Sequence, residues 1–240
     1  MANTYFQFKQ FTIHHDRCAM KVTTDSCLFG AWAARDVQSL QLQNLQLLDV
    51  GAGSGLLSLM MAQKNVVIID AIEIDKEAAH QAEENVGASP WKEHITIITE
   101  DVLRWRPTKK YDVIISNPPF YEADLKSDRF TKNVAHHNAG LRLNELLQFI
   151  KKHLTTDGVF FLLLPFKRGK DVEELLAVYE LHLHKKVTVK QTTEHAPFRL
   201  MLQGSNTKAE TVVVELSIKD NHQQYTQEFT SILKDYYLHL

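Results

Sequence analysis

Apolar and polar positions alternate between strand-type and helix-type spacing along most of the chain. Residues 45–50 form a short apolar run that ends in a glycine cluster, and residues 56–63 follow with helical spacing. Residues 66–74 are apolar almost throughout, as a parallel strand covered on both faces would be. Asp75 then stands where a cap would open a helix running to Val86. Ala78, Ala79 and Ala82 would let that helix lie close to a sheet, and Gly87 and Pro90 would end it. Residues 95–98 and 111–115 read as a third and a fourth strand, with a short helix over 102–105 between them. Leu143, Leu146, Leu147 and Ile150 lie on one face of a helix over 141–154. Thr156-Asp157-Gly158 reads as a turn into a strong strand over 159–164, and residues 172–179 as the next helix. Residues 182–190 alternate like a strand near a sheet edge. Residues 200–203 and 211–218, joined through a flexible turn over 204–208, predict a closing antiparallel hairpin. Tyr225, Phe229, Ile232, Leu233 and Tyr236 have the spacing of a terminal helix packed on the core. Ahead of all this, Tyr5, Phe6, Phe8 and Phe11 make an aromatic-rich leading segment. A helix of small and apolar residues over 28–34 follows, with Asp25 as its expected N-cap. Strands alternating with helices predict an α/β fold with a mostly parallel sheet and helices on both faces.

The chain has 240 residues, 44% hydrophobic and 23% charged, which fits one sizeable domain. It divides into a leading segment over 1–44, a core over 45–165 and a sheet edge with terminal helix over 166–240. A net charge of −2 excludes a global basic signature for nucleic acid, although a local patch can carry phosphate contacts. The two cysteines, Cys18 and Cys27, make no disulfide framework and read as reduced thiols. Residues 1–11 have no apolar run of signal type, and the longest apolar run, 159–164, is far too short to span a bilayer. A cytoplasmic, monomeric protein without membrane contact is expected. The His14-His15-Asp16-Arg17-Cys18 run matches no common ligand spacing, so no metal is expected.

Candidate chemistry concentrates after strand ends. Asp49-Val50-Gly51-Ala52-Gly53-Ser54-Gly55 joins a strand to a helix, the arrangement that brings backbone close to a ligand. The dinucleotide fingerprint would need a small residue at Leu56. The spacing here is G-x-G-x-G with an acid two residues before the first glycine. That is the form seen in S-adenosylmethionine (SAM) methyltransferases, where the loop packs on the amino-acid and ribose parts of SAM. Glu73, with Ile74 beside it, stands where an acid meets ribose hydroxyls; the alternative is a strand-end carboxylate in water. Asp101, followed by Val102, reads either as an acceptor for the adenine amine of SAM or as a helix cap.

Ser116-Asn117-Pro118-Pro119-Phe120 follows the fourth strand. The Asn117 amide oxygen and the Pro118 carbonyl can each accept from an exocyclic amine, and Phe120, with Tyr121, offers a face for a planar base. The bland alternative is an Asn-Pro turn. Residues 121–140 then carry Lys126, Arg129, Lys132, His136 and His137, candidates for phosphate contact in a loop that can equally be a solvated one. Lys167, Arg168 and Lys170 read either as a second basic spot or as a solubilising loop.

Asp49 to Gly55, Glu73, Asp101 and Asn117 to Phe120 together resemble the class I SAM-dependent amino-methyltransferases. More narrowly, the chain is similar to the bacterial tRNA1(Val) (adenine-N6)-methyltransferase family. That likeness is carried by Phe8-Lys9-Gln10-Phe11, Asp16-Arg17-Cys18-Ala19-Met20-Lys21-Val22, Thr24-Asp25, Gly30-Ala31-Trp32-Ala33, Ser89-Pro90-Trp91 and the pattern over 229–238. It covers almost the whole chain. It implies a seven-stranded Rossmann-like sheet ending in an antiparallel hairpin, SAM as cofactor, and tRNA as substrate. It also implies that Lys21, Thr24 and Asp25 line the outer wall of the SAM pocket, and that one methyl group goes to N6 of the adenosine just 3′ of the anticodon. The run over 132–138 departs from the family in being His-rich rather than Arg-rich. The residues alone leave other acceptors open: an rRNA or DNA adenine, a release-factor glutamine, or a non-catalytic SAM-sensing role on RNA. Glycine spacing disfavours a nicotinamide oxidoreductase.

Overall fold

The structure, a computed structural model, describes residues 3–40, 44–65, 67–118 and 141–240. Phe120, Tyr121, Lys126, Arg129, Lys132 and His136 therefore lie outside the described residues.

The aromatic leading segment folds as a small hairpin, β1 (Tyr5–Gln7) on β2 (Thr12–His14). Phe8, Phe11 and Ile13 are buried, with the Phe8 and Phe11 rings stacked at 4.5 Å. Helix α1 (Thr24–Ser39) opens on Thr23, whose side chain accepts from the Ser26 N–H while Ser26 bonds back to Thr23. This corrects the expectation that Asp25 is the cap. Asp25 sits one residue inside the helix, in the first turn, where a carboxylate favours the positive end of the dipole.

Strand β3 (Leu45–Val50), helix α2 (Leu56–Lys64), strand β4 (Val67–Glu73) and helix α3 (Lys76–Gly87) follow the expected alternation. The Asp75 carboxylate accepts from the Ala78 N–H at 2.9 Å and caps α3, and Ala78, Ala79 and Ala82 are buried against the sheet. Strands β5 (Ile95–Thr99) and β6 (Tyr111–Ser116) come next; residues 102–104 between them form a turn rather than the expected helix. Helix α4 (Leu143–His153) leads into the long strand β7 (Leu154–Pro165), and a single 3-10 turn joins it to α5 (Gly169–Val178). The predicted turn at Thr156-Asp157-Gly158 lies within β7, where the pairing with β6 slips between Leu154 and Val159. Strands β8 (His182–Thr192), β9 (Arg199–Ser205) and β10 (Val212–Lys219) and helix α6 (Gln227–Leu233) complete the fold.

The main sheet has eight strands in the order β10-β8-β9-β7-β6-β3-β4-β5, one more than expected. The five strands from β5 to β7 are parallel, and β9 runs against both β7 and β8. The antiparallel hairpin is therefore β8 with β9. The last strand does not return onto β9 as expected; β10 crosses to the far side of β8 and runs parallel to it. Strand β8 therefore lies near the sheet edge, as expected, with β10 alone outside it.

Successive residues of the parallel strands face opposite ways, and two cores result. Leu47, Ile69, Val113 and Phe161 pack with α1, α2 and α6; Leu48, Ile72, Ile114 and Leu162 pack with α4 and α5. All eight are at most 1% exposed, and each such side chain contributes roughly 1.5–3 kcal/mol on burial. The parallel strands are thus held rigidly from both sides, with the ends of β3, β4 and β6 on one edge.

Candidate active site

Three glycines turn the chain out of β3, all with left-handed φ: Gly51 at 73°, Gly53 at 55° and Gly55 at 80°. A side chain at any of them would be strained. Their surroundings differ. A Cβ on Gly55 would sit 3.5 Å from the Ala82 methyl, so Gly55 packs on α3, whereas a Cβ on Gly51 or Gly53 would meet nothing within 4 Å. The loop therefore presents bare backbone to open space at the carboxyl edge of the sheet, where open α/β sheets take their ligands. It is pinned from below: the Gly51 and Ala52 N–H groups both donate to the Ile72 carbonyl, at 2.9 and 3.1 Å.

Asp49 is fully buried. Its Oδ2 accepts from the Ser58 hydroxyl at 2.7 Å and from the Ser58 N–H at 3.1 Å. Helix α2 begins on Gly55, which has no side chain to cap it, so Asp49 serves one of its first N–H groups from the strand below. Oδ1 of Asp49 has no partner. Burial pushes the Asp49 carboxyl up to about 7; the Ser58 bonds pull the other way, and the negative charge of Glu73 adds to the rise.

Glu73 ends β4 with both oxygens engaged by backbone. Oε2 accepts from the Gly53 N–H at 2.8 Å, and Oε1 from the Asp75 N–H at 2.9 Å. Each oxygen keeps a further lone pair, so a ribose diol can be received by a carboxylate already held in place. Ile74 is 66% exposed, an apolar side chain at the same edge, and Val102, next to Asp101, is buried. Asp101 is half-buried; its Oδ1 accepts from the Leu103 N–H at 2.9 Å, and Arg104 lies 3.6 Å from Oδ2. The bare loop, the held acid and the exposed apolar residue fit the amino-acid, ribose and adenine parts of SAM.

Val50 and Ser116 are register partners in β3 and β6, and the Ser116 hydroxyl donates to the Val50 carbonyl at 2.7 Å. The next residues are Gly51 on one strand and Asn117 on the other, so the glycine loop and the Asn-Pro motif leave the sheet side by side. Asn117 is half-buried and Pro118 buried. On the outer side, Lys21 and Thr24 are exposed, while Asp25 is largely buried and its Oδ2 accepts from Arg199 Nε at 2.6 Å. Arg199 opens β9 opposite Pro165 at the end of β7. That pair ties the start of α1 to the same sheet edge.

The family description "Methyltransferase small domain" matches residues 35–172. Along nearly the whole chain, a tRNA1(Val) (adenine(37)-N6)-methyltransferase of Dyadobacter fermentans is 41% identical, covering 98% of both proteins. One of Parabacteroides distasonis is 38% identical over 99% of both, and one of Klebsiella pneumoniae 40% identical over 97% of this chain and 94% of the relative. The chain belongs to the tRNA1(Val) (adenine(37)-N6)-methyltransferase family. Among solved structures, a predicted O-methyltransferase of Agrobacterium tumefaciens superposes with a TM-score of 0.64 at 13% identity, covering 88% of this chain and 96% of that one. A putative class I SAM-dependent methyltransferase of Listeria monocytogenes superposes at 0.61 and 14% identity, covering 82% and 68%. These two share the fold.

In this tRNA1(Val) methyltransferase family member, sequence reasoning missed the residues that hold the site rather than form it. Ser58 and Arg199 each bond to a residue of the site, yet neither carries a local signature; Ser116 stands in the Asn-Pro motif, but its bond to the Val50 carbonyl does not show there. Thr23 had a weak signature, since threonine is among the favoured N-cap residues. Among the described residues no group of three or more His, Cys, Asp or Glu could hold a metal, and the backbone of the His14–Cys18 run is occupied with α3 instead.

Proposed function

We propose that this chain transfers a methyl group from SAM to N6 of adenosine 37 in tRNA1(Val), as its relatives are named to do. The chemistry rests on one observation: the Val50–Ser116 register puts an Asn-Pro acceptor pair directly beside a bare glycine loop. Bound SAM supplies a sulfonium methyl to an attacking nitrogen. The protein's part is position and polarity. Gly51, Ala52, Gly53 and Gly55 shape the floor for the cofactor, Asp49 fixes that floor, and Glu73 receives the ribose. Ile74, Asp101 and Val102 border the adenine, and Lys21, Thr24 and Asp25 form the outer wall.

The target adenine leaves its stack and lies on Phe120, with Tyr121 beside it. Its amine donates to the Asn117 side-chain oxygen and to the Pro118 carbonyl. The nitrogen lone pair of an aromatic amine is delocalised into the ring. Two fixed acceptors favour the pyramidal nitrogen, which carries a localised pair, and support the positive charge that grows there. In-line placement contributes much of the rest. The product proton is acidic enough to leave to water. Lys126, Arg129, Lys132 and His136 make the phosphate contacts. A single chain working in the cytoplasm, where tRNA is modified, fits this reading; no helix among the described residues is long and apolar enough to cross a membrane.

Replacing Asn117 by Ala should leave SAM affinity within about threefold and lower turnover by about a hundredfold or more, the scale on which loss of one oriented hydrogen-bond donor acts at oxyanion sites. Calorimetry with SAM and methyl transfer to tRNA from cells lacking the protein measure the two quantities. Full turnover by that variant sinks the assignment. Methylation of bulk DNA or of total protein in preference to tRNA moves the acceptor elsewhere.

A further inference from the structure

Helix α3 carries two amides one turn apart, Gln81 and Asn85, which are 1% and 2% exposed. Side chains of this kind are seldom so deeply buried without a set of partners. Here every bond leads to the walls of the cofactor cleft. Asn85 Oδ1 accepts from the His14 N–H at 3.0 Å; its Nδ2 donates to the His14 carbonyl at 2.8 Å and to the Ser54 carbonyl at 2.9 Å. Gln81 Oε1 accepts from the Arg17 N–H at 3.0 Å and from the Cys18 thiol at 3.3 Å, and its Nε2 donates to Asp16 Oδ1 at 2.7 Å. Arg17 also pairs with Glu84 on the same helix. The segment from His14 to Cys18 is thus laid along α3 by side-chain amides standing in for a neighbouring strand. It then runs through Lys21 to the Thr23 cap of α1. Cys18 lies close enough to the cleft for the charges of Glu73 and Asp75 to act on its thiol, although burial is the larger influence.

We propose that Asn85 is a positioning residue for cofactor binding, one amide fixing the glycine loop through Ser54 and the outer wall through His14. Gln81 fastens the same wall one turn away. The inference rests on the methyl-transfer reading. It adds that the width of the SAM cleft is set from α3, by residues that touch neither cofactor nor tRNA. Among the described residues the loop and the outer wall share no ladder; without Asn85 each keeps its other anchors, the loop on Ile72 and Glu73 and the wall on Gln81, but the direct link between them is gone and their spacing loosens.

The test is steady-state kinetics with the full chain, varying SAM at saturating tRNA. Asn85→Ala should raise KM for SAM about tenfold, within the usual span of coupling between sites, and leave kcat within about twofold and KM for tRNA unchanged. Gln81→Ala, which frees only the outer wall, should raise KM for SAM about threefold. The double variant should fall short of the product of the two, since both act on one segment. A purely structural role would lower the folded fraction, and with it apparent kcat, without moving KM for SAM. That result with Asn85→Ala overturns the proposal. If Asn85→Ala gives no folded protein, an unchanged KM for SAM in Gln81→Ala does so. Calorimetry of the wild type with SAM separates the layers: binding with unaltered variants refutes this inference alone, and no binding at all refutes the methyl-transfer reading beneath it.

Discussion

Asp49 shows what a single residue does for the loop it precedes. Its carboxyl is raised by burial from 3.8 to about 7. The folded state therefore holds a proton that the unfolded chain releases near pH 4. The associated stability is fully present below pH 3.8 and is lost as the pH rises through about 7. Over that window the loss is on the order of 2–4 kcal/mol. An asparagine in place of the acid can still accept from Ser58 and has nothing to ionise. Asp49→Asn should thus flatten the decline of the thermal midpoint between about pH 4 and 7, and a midpoint that declines as steeply as in the wild type counts against the buried proton. The candidate site residues are proposed from strand ends and glycine spacing, because those rules are local. What Asp49 bonds to is not, since Ser58 is nine positions away across a turn and its role exists only once α2 is laid over β3.

At the level of elements, β9 is the strand most constrained by its neighbours. It lies between β7 and β8, and a Cβ on Gly204 would come within 2.4 Å of both the His182 carbonyl and the Phe160 ring. A glycine inside a strand marks such a close approach of another backbone. Gly204→Ala should cost about 1–3 kcal/mol in urea unfolding, as overpacking of a core does, and an unchanged midpoint would show that β8 and Phe160 yield freely. From sequence alone Gly204 reads as a turn, because glycine more often punctuates than packs. That one reading misplaces the hairpin: with the chain assumed to reverse at 204–208, β10 has to return onto β9. In the structure β9 continues through Ser205, and the connection passes the start of β8, where the Thr211 hydroxyl donates to the Leu183 carbonyl at 2.9 Å. Strands β8 and β10 alternate over their second halves, and alternation gives a strand its faces without naming its neighbour. The parallel half is legible because strand, turn and helix in succession leave few arrangements.

For the whole molecule, a net charge of −2 faces a polyanionic substrate. Attraction must come from cations gathered locally, and each phosphate neutralised releases counterions. KM for tRNA should therefore climb steeply with salt, about fiftyfold or more between 50 and 200 mM if four or more phosphates are engaged, while SAM affinity stays nearly constant. A flat salt response would remove phosphate contacts from the account.

The leading hairpin is fastened at its other end as well. Phe8 bridges to Tyr237, the Lys9 N–H donates to the Tyr236 carbonyl at 2.8 Å, and Lys9 Nζ reaches the carbonyl of Lys234, 225 residues away. Both of its moorings exist only once the residues that follow α6 are in place. The nucleotide cradle from β3 to β5 has everything it needs far earlier. Closure across so long a stretch is entropically slow. A chain whose moorings beyond α6 are undone therefore keeps its cradle and loses the brace behind His14, the residue that Asn85 holds.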